Sequence, residues 1–202
     1  MAYRRTPRIQ ARIDAQRTAI VDAAAAVLAD AGYGGCTISA VAARAGVAAG
    51  TVYNHFSGKV ELVAEVFRHL VTREVEVVRA AADSGSATES TVAVLETFAR
   101  RALKSPRRAY VLLAEPVDPV IDELRLEFRR AFRDVLTSAI RRGVAAGELP
   151  PQNAPVVAAA LVGALGEALV GPLATGADDA DTIPALIEFT LRAIGGRVHA
   201  DA

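Results

Sequence analysis

Apolar positions recur at helical spacing almost from end to end of this chain. Ile13, Ile20, Ala24, Val27 and Leu28 keep it first, and Gly32 stands just past them, where a helix-ending glycine belongs. Thr37 is placed to cap a short second helix, whose Ile38, Val41, Ala42 and Ala45 fall at i, i+3, i+4 and i+7 before Gly46. A third helix lies within "AGVAAGTVYNHFSGK", Ala45 to Lys59, and a fourth runs from about Val60 to Val77–Val78. "DSGSAT", Asp83 to Thr88, is a loop by composition. Val92, Leu95, Phe98 and Leu103 mark a fifth helix that stops before Pro106, and "RRAYVLLAE" a sixth that stops before Pro116. The longest, from about Pro119 to Val144, carries Leu124, Phe128, Ala131, Phe132, Val135 and Ala139 on one stripe. Two more follow, about Pro155–Val170 and Thr182–Ile194. No segment keeps the period of a strand, so the pattern predicts an all-α fold of about nine helices.

The third helix is the unusual one, because a helix so short is marginal without outside support. With Val52 at zero on a helical wheel, Phe56 falls near ~40°, Gly50 near ~160° and Asn54 near ~200°. Val47, Val52 and Phe56 therefore anchor it, and a small, polar face points away. Two short helices around Gly46 have the spacing of a helix-turn-helix, whose second helix enters the DNA major groove. Small residues would let the backbone approach a duplex, and the Asn54 amide suits an adenine edge. A tight αα-corner with a polar surface has the same spacing.

Charge favours the DNA reading. Residues 1–59 hold Arg4, Arg5, Arg8, Arg12, Arg17, Arg44 and Lys59 against three aspartates, a net +4, although the whole chain is neutral. A basic end suggests a polyanionic partner, with the N-terminal arm and Lys59 flanking the groove. Apolar residues make up 52% of the 202 and aromatics 5%, so the core is built from Ala, Val and Leu. A single cysteine, Cys36, excludes a disulfide framework and a cysteine-based metal site. The arginine-rich start lacks the apolar stretch of a secretory signal. Val156–Leu173 contains Glu167 and several glycines and falls short of a typical membrane span. These features predict a cytoplasmic protein with no membrane partner.

The run "AIVDAAAAVLADAGYGGCTISAVAARAGVAAGTVYNHFSGKVELV" resembles the DNA-binding domain of the tetracycline-repressor (TetR) family. Its first helix ends in "AGY", its second reads T-x-x-x-V-A-x-x-A-G-V, and G-T-V-Y-N-H-F-x-x-K follows. The resemblance implies a helix-turn-helix domain over residues 1–59 and an effector-binding, dimerising helical domain over 60–202. It also implies a ligand-responsive regulator, a repressor, acting as a homodimer on a palindromic operator, without enzymatic activity or cofactor. Thr37 would cap the second helix and touch phosphate. Tyr53, His55 and Lys59 would contact phosphate, and Ala48, Ala49, Gly50, Thr51 and Asn54 would face bases or the groove wall, with Arg44 beside them. Ala48 and Ala49 stand where the family often has a hydroxyl or basic side chain, which shifts specificity toward methyl contacts and DNA shape. Two other readings stay open: a helical enzyme or lipid carrier with a vestigial DNA-binding domain, and a DNA binder without effector.

The family places an effector cavity among the helices that carry Phe67, Phe98, Tyr110, Leu113, Phe128 and Phe132, with Glu115 and Arg125 the nearest polar side chains beside Tyr110. A small hydrophobic effector is expected, with Tyr110 donating to it. For the dimer, the last two helices supply small residues, among them Ala164, beside Leu161, Leu165, Leu169, Leu186 and Phe189. His55, His69 and His199 are scattered and have no metal spacing. Cys36 reads as a small buried residue before a helix cap, or as a redox switch. Asp118 reads as a solvated helix end, Arg125 to Arg133 as a solvated face, and Glu167 as a partner of Arg192, a ligand contact or a rim residue.

Overall fold

The computed structural model describes residues 7–83, 85–176 and 180–195, so Arg4, Arg5 and His199 lie outside it, as do parts of the two loops. Among the described residues the chain is all-helical: α1 (Pro7–Gly35), α2 (Ile38–Ala45), α3 (Ala49–Tyr53), α4 (Lys59–Ala81), α5 (Ala87–Lys104), α6 (Pro106–Leu113), α7 (Pro119–Ala145), α8 (Ala154–Thr175) and α9 (Thr182–Ala193). Residues 7–12 form the first turns of α1 and are exposed, so Arg8 and Arg12 sit on a helix rather than on an extended arm.

Local chemistry sets the boundaries. Thr37 caps α2 by accepting from the Ala40 N–H at 3.1 Å, and Gly46 ends it in the left-handed conformation (φ 67°). Ser86 and Glu89 form a reciprocal capping box on α5. Gly32 breaks α1 where the helix-ending glycine was expected, at φ 68° and ψ −174°, and a short helical segment follows it to Gly35.

Two apolar cores result. One joins Ile20, Leu28, Val41, Val52, Phe56 and Phe67 to Val111, Ile121 and Leu124 from α6 and α7. It does not stop at residue 59, because Leu62 to Phe67 of α4 complete it. The other lies among α5, α7, α8 and the far half of α4, around Phe98, Phe128, Phe132, Leu161 and Leu165.

Candidate functional site

The α2–turn–α3 unit is held from beneath. Val52 and Phe56 are buried and Val47 packs against the same core, while Thr37, Arg44, Ala48, Ala49, Gly50, Tyr53 and Asn54 are exposed and Thr51, His55 and Lys59 half-buried. Asn54 caps the five-residue α3 through its backbone N–H to the Gly50 carbonyl at 3.1 Å. Arg17, on α1, lies 4.9 Å from the Phe56 ring centroid and pairs with Glu65 of α4 at 2.7 Å, tying α1 and α4 around the end of α3. That contact holds the Glu65 carboxyl below the usual carboxylate range, mainly through the Arg17 hydrogen bond. His55 pairs with Gln16 of α1 at 3.1 Å, and Arg44 with Asp30 at 2.8 Å. The Lys59 ammonium sits 4.0 Å from the centroid of the Tyr33 ring. The pairings of Arg17 with Glu65 and of Gln16 with His55 have no signal in the sequence, since partners 48 and 39 residues apart leave no local periodicity.

Gly50 is informative because nothing in the fold requires it. It has no positive φ, and a Cβ there would meet no atom within 4 Å. Glycine costs a helix up to about 1 kcal/mol relative to alanine, so its presence here is not a demand of the fold. Gly50→Ala should raise the melting temperature slightly and weaken operator binding. A gel-shift titration beside a thermal melt checks both, and tighter binding would remove the close-approach role.

Cys36 is buried, and burial pushes its thiol up to about 11. That is against the redox-switch reading, because the thiolate is the reactive form. The folded state favours the neutral thiol, so its stabilising effect is complete below about pH 9 and is lost as pH rises toward 11, at most ~1.4 kcal/mol per pH unit. Denaturation midpoints across that range should fall less steeply in Cys36→Ala than in the parent.

Glu115 and Asp118 meet α1 instead of a ligand. Glu115 Oε2 accepts from the Tyr33 N–H at 3.1 Å, and Asp118 accepts from the Tyr33 hydroxyl at 2.9 Å. Arg125 donates to the carbonyls of Val111, Leu112 and Glu115 and pairs with Asp122, which staples the end of α6 to α7. The expectation that Glu115 and Arg125 serve an effector is therefore corrected: both are consumed by this junction. Phe67 belongs to the N-terminal core.

The cavity lies between α5, α6, α7 and α8, with a volume of about 530 Å³. Phe98, Leu113, Phe128, Phe132 and Leu165 form its apolar walls. Arg129, Arg130 and Arg133 stand along it, with Glu167 exposed at the rim. Of the expected effector residues, the structure brings together Phe98, Leu113, Phe128 and Phe132, and leaves Tyr110 packed against the core beside them. Among the described residues Arg129 and Arg130 have no ion-pair partner, and Arg133 reaches only Asp134, at 3.4 Å. Arg129 and Arg130 are exposed, as a solvated face requires, and with Leu126 they also border the cavity. Glu188, not Glu167, pairs with Arg192.

The interface expectation also needs correction. Leu161, Leu165 and Leu169 are buried inside the chain's own core, whereas Ala164 and Leu186 are half-buried and Phe189 is 45% exposed. Helix α8, with Glu167 its only charged residue, is by length and composition long and apolar enough to cross a membrane, contrary to the expectation from Val156–Leu173, and only 28% of its apolar stretch is buried. The large leucines turn inward, while Val156, Ala160 and Gly163 face outward.

Residues 20–66 match the family model of bacterial regulatory proteins, tetR family. The HTH-type transcriptional repressor KstR2 of Rhodococcus jostii (strain RHA1) is 26% identical over 136 residues, covering 63% of this chain and 67% of that protein. The FadR regulator of Bacillus subtilis, solved in complex with stearoyl-CoA, aligns over 90% of this chain and 99% of its own at TM-score 0.75 and 21% identity. The fatty acid degradation regulator FadR of Bacillus halodurans aligns over the same shares at TM-score 0.71 and 19% identity. The chain is a helix-turn-helix transcriptional regulator. Its residues 20–66 are a DNA-binding domain of the kind found in the tetR family of bacterial regulatory proteins.

Proposed function

We propose that this chain is a repressor that binds a two-fold symmetric operator as a homodimer and releases it when an amphipathic anion of the acyl-CoA class fills the α5–α8 cleft. The observation that carries the effector reading is the cleft itself: an apolar interior beside three arginines with almost no internal countercharge. An apolar tail suits the first part and a polyphosphate head the second. The stearoyl-CoA held by the Bacillus subtilis relative supports the same chemistry. On DNA, Thr37, Tyr53, His55 and Lys59 contact phosphate, while Ala48, Ala49, Gly50, Thr51 and Asn54 face the groove, with half-sites about one turn apart. The outward face of α8 and Phe189 supply the dimer contact, which also accounts for so apolar a helix. The protein acts in the cytoplasm as a regulator and not as an enzyme.

The test is operator release. A long-chain acyl-CoA should free DNA from the parent protein, while coenzyme A alone and the free fatty acid should act at least tenfold more weakly. Arg130→Glu with Arg133→Glu should abolish release and leave operator affinity intact. Release by the free acid as readily as by the thioester would remove the polyphosphate part of the reading.

A further inference from the structure

On the other side of the cleft's aromatic wall lies a second, smaller recess between α4, α5 and α6, of about 20 Å³. Phe98, Leu113 and Phe128 line both spaces, so these three side chains are the partition between them. The Phe98 ring meets Phe132 edge-on with centroids 5.1 Å apart and tilts against Phe128 at 5.9 Å. Beyond the partition the wall combines apolar Val71, Ala102 and Ala109 with Ser105 and Arg108, and the same lining holds an ion pair. There Arg101 donates to both Glu74 oxygens, at 2.7 and 2.8 Å.

We propose that Phe98 gauges the length of the effector's apolar tail, with its ring as the partition between the open cleft and the recess that ends at Glu74–Arg101. This rests on the acyl-CoA reading of the cleft and deepens it. Phe98 projects alone from α5 between two α7 rings, and a change of side-chain rotamer would join the two spaces without backbone movement. A short tail fills the cleft and leaves the rings as they stand. A longer tail must displace the Phe98 ring to continue, losing the ring contacts it breaks. The Glu74–Arg101 pair then sets the ceiling, because each partner satisfies the other and a methyl terminus pressed against them only removes water.

The experiment measures dissociation constants of butyryl-, octanoyl-, dodecanoyl- and stearoyl-CoA for the full-length parent protein, Phe98→Ala and Phe98→Leu. In the parent, affinity should rise with length and then level off or fall. Phe98→Ala should raise the preference for stearoyl-CoA over butyryl-CoA at least tenfold above that of the parent. Phe98→Leu keeps apolar bulk without the ring, should shift the optimum in the same direction, and carries the test if the alanine variant does not fold. The same length profile in the parent and in both folded variants would overturn the gauge while leaving the acyl-CoA reading intact. Failure of every chain length to bind the parent would overturn both.

Discussion

Phe56→Ala should lower the unfolding free energy by about 3–5 kcal/mol and loosen the whole DNA-binding unit. Phe56 is 1% exposed, lies just beyond the five-residue α3, and closes the core made by Ile20, Val41, Val52 and Phe67. Removing the ring leaves a void that neighbours on α1 and α4 cannot close, since each is fixed by its own helix. It also removes the surface over which the Arg17 guanidinium rests, a contact worth about 0.5–1 kcal/mol where it is partly exposed. Asn54→Ala is the matched control. Asn54 is exposed and caps α3 through its backbone, so its loss should stay within about 0.5 kcal/mol while operator preference falls. Chemical denaturation of the two variants beside an operator titration separates anchor from reader. Equal destabilisation would mean that the short helix faces the other way.

The two faces of α3 were legible in the sequence because each rests on local signals. Thr37 and Gly46 bracket α2, and Val52 with Phe56 share one side of a short wheel whichever residues they pack against. The inward stripe of α8 was not legible, because a helix apolar on every side has no wheel position that separates core from interface. The solution reached depends on size: Leu161, Leu165 and Leu169 fill the broad space opposite α7, and the smaller residues are left outside. Glu115 and Arg125 were misread for a different reason. A carboxylate after an apolar run and an arginine on an apolar helix both look like ligand contacts. Their actual partners are a backbone N–H 82 residues away and a set of helix-end carbonyls, which leave no mark in composition or spacing.

Gly32→Ala should destabilise the protein by about 2–4 kcal/mol, and the junction between α1 and the α6–α7 turn should fail first. The position combines two demands. Its φ of 68° and ψ of −174° fall in a region essentially confined to glycine, and forcing another residue there costs about 1–3 kcal/mol. A Cβ would also stand 2.6 Å from Glu115 Oε1 and 2.7 Å from Arg107 Nη2, so the carboxylate must withdraw. That carboxylate is what accepts from the Tyr33 N–H, a group that the kink removes from the helical ladder. Losing a hydrogen bond to a charged group costs about 1.5–3 kcal/mol, toward the lower end here because the site is only part-buried. Alanine's smaller entropy in the unfolded chain offsets about 0.4–1 kcal/mol of the total. Glu115→Ala separates the two contributions. It breaks the Tyr33 bond without touching the backbone, so the double variant Gly32→Ala with Glu115→Ala should lose less than the sum of the single losses. Amide exchange at Tyr33 should quicken in all three variants. Strict additivity, with Tyr33 still protected in Gly32→Ala, would show that the carboxylate was not displaced and that the cost of the substitution lies in the backbone alone.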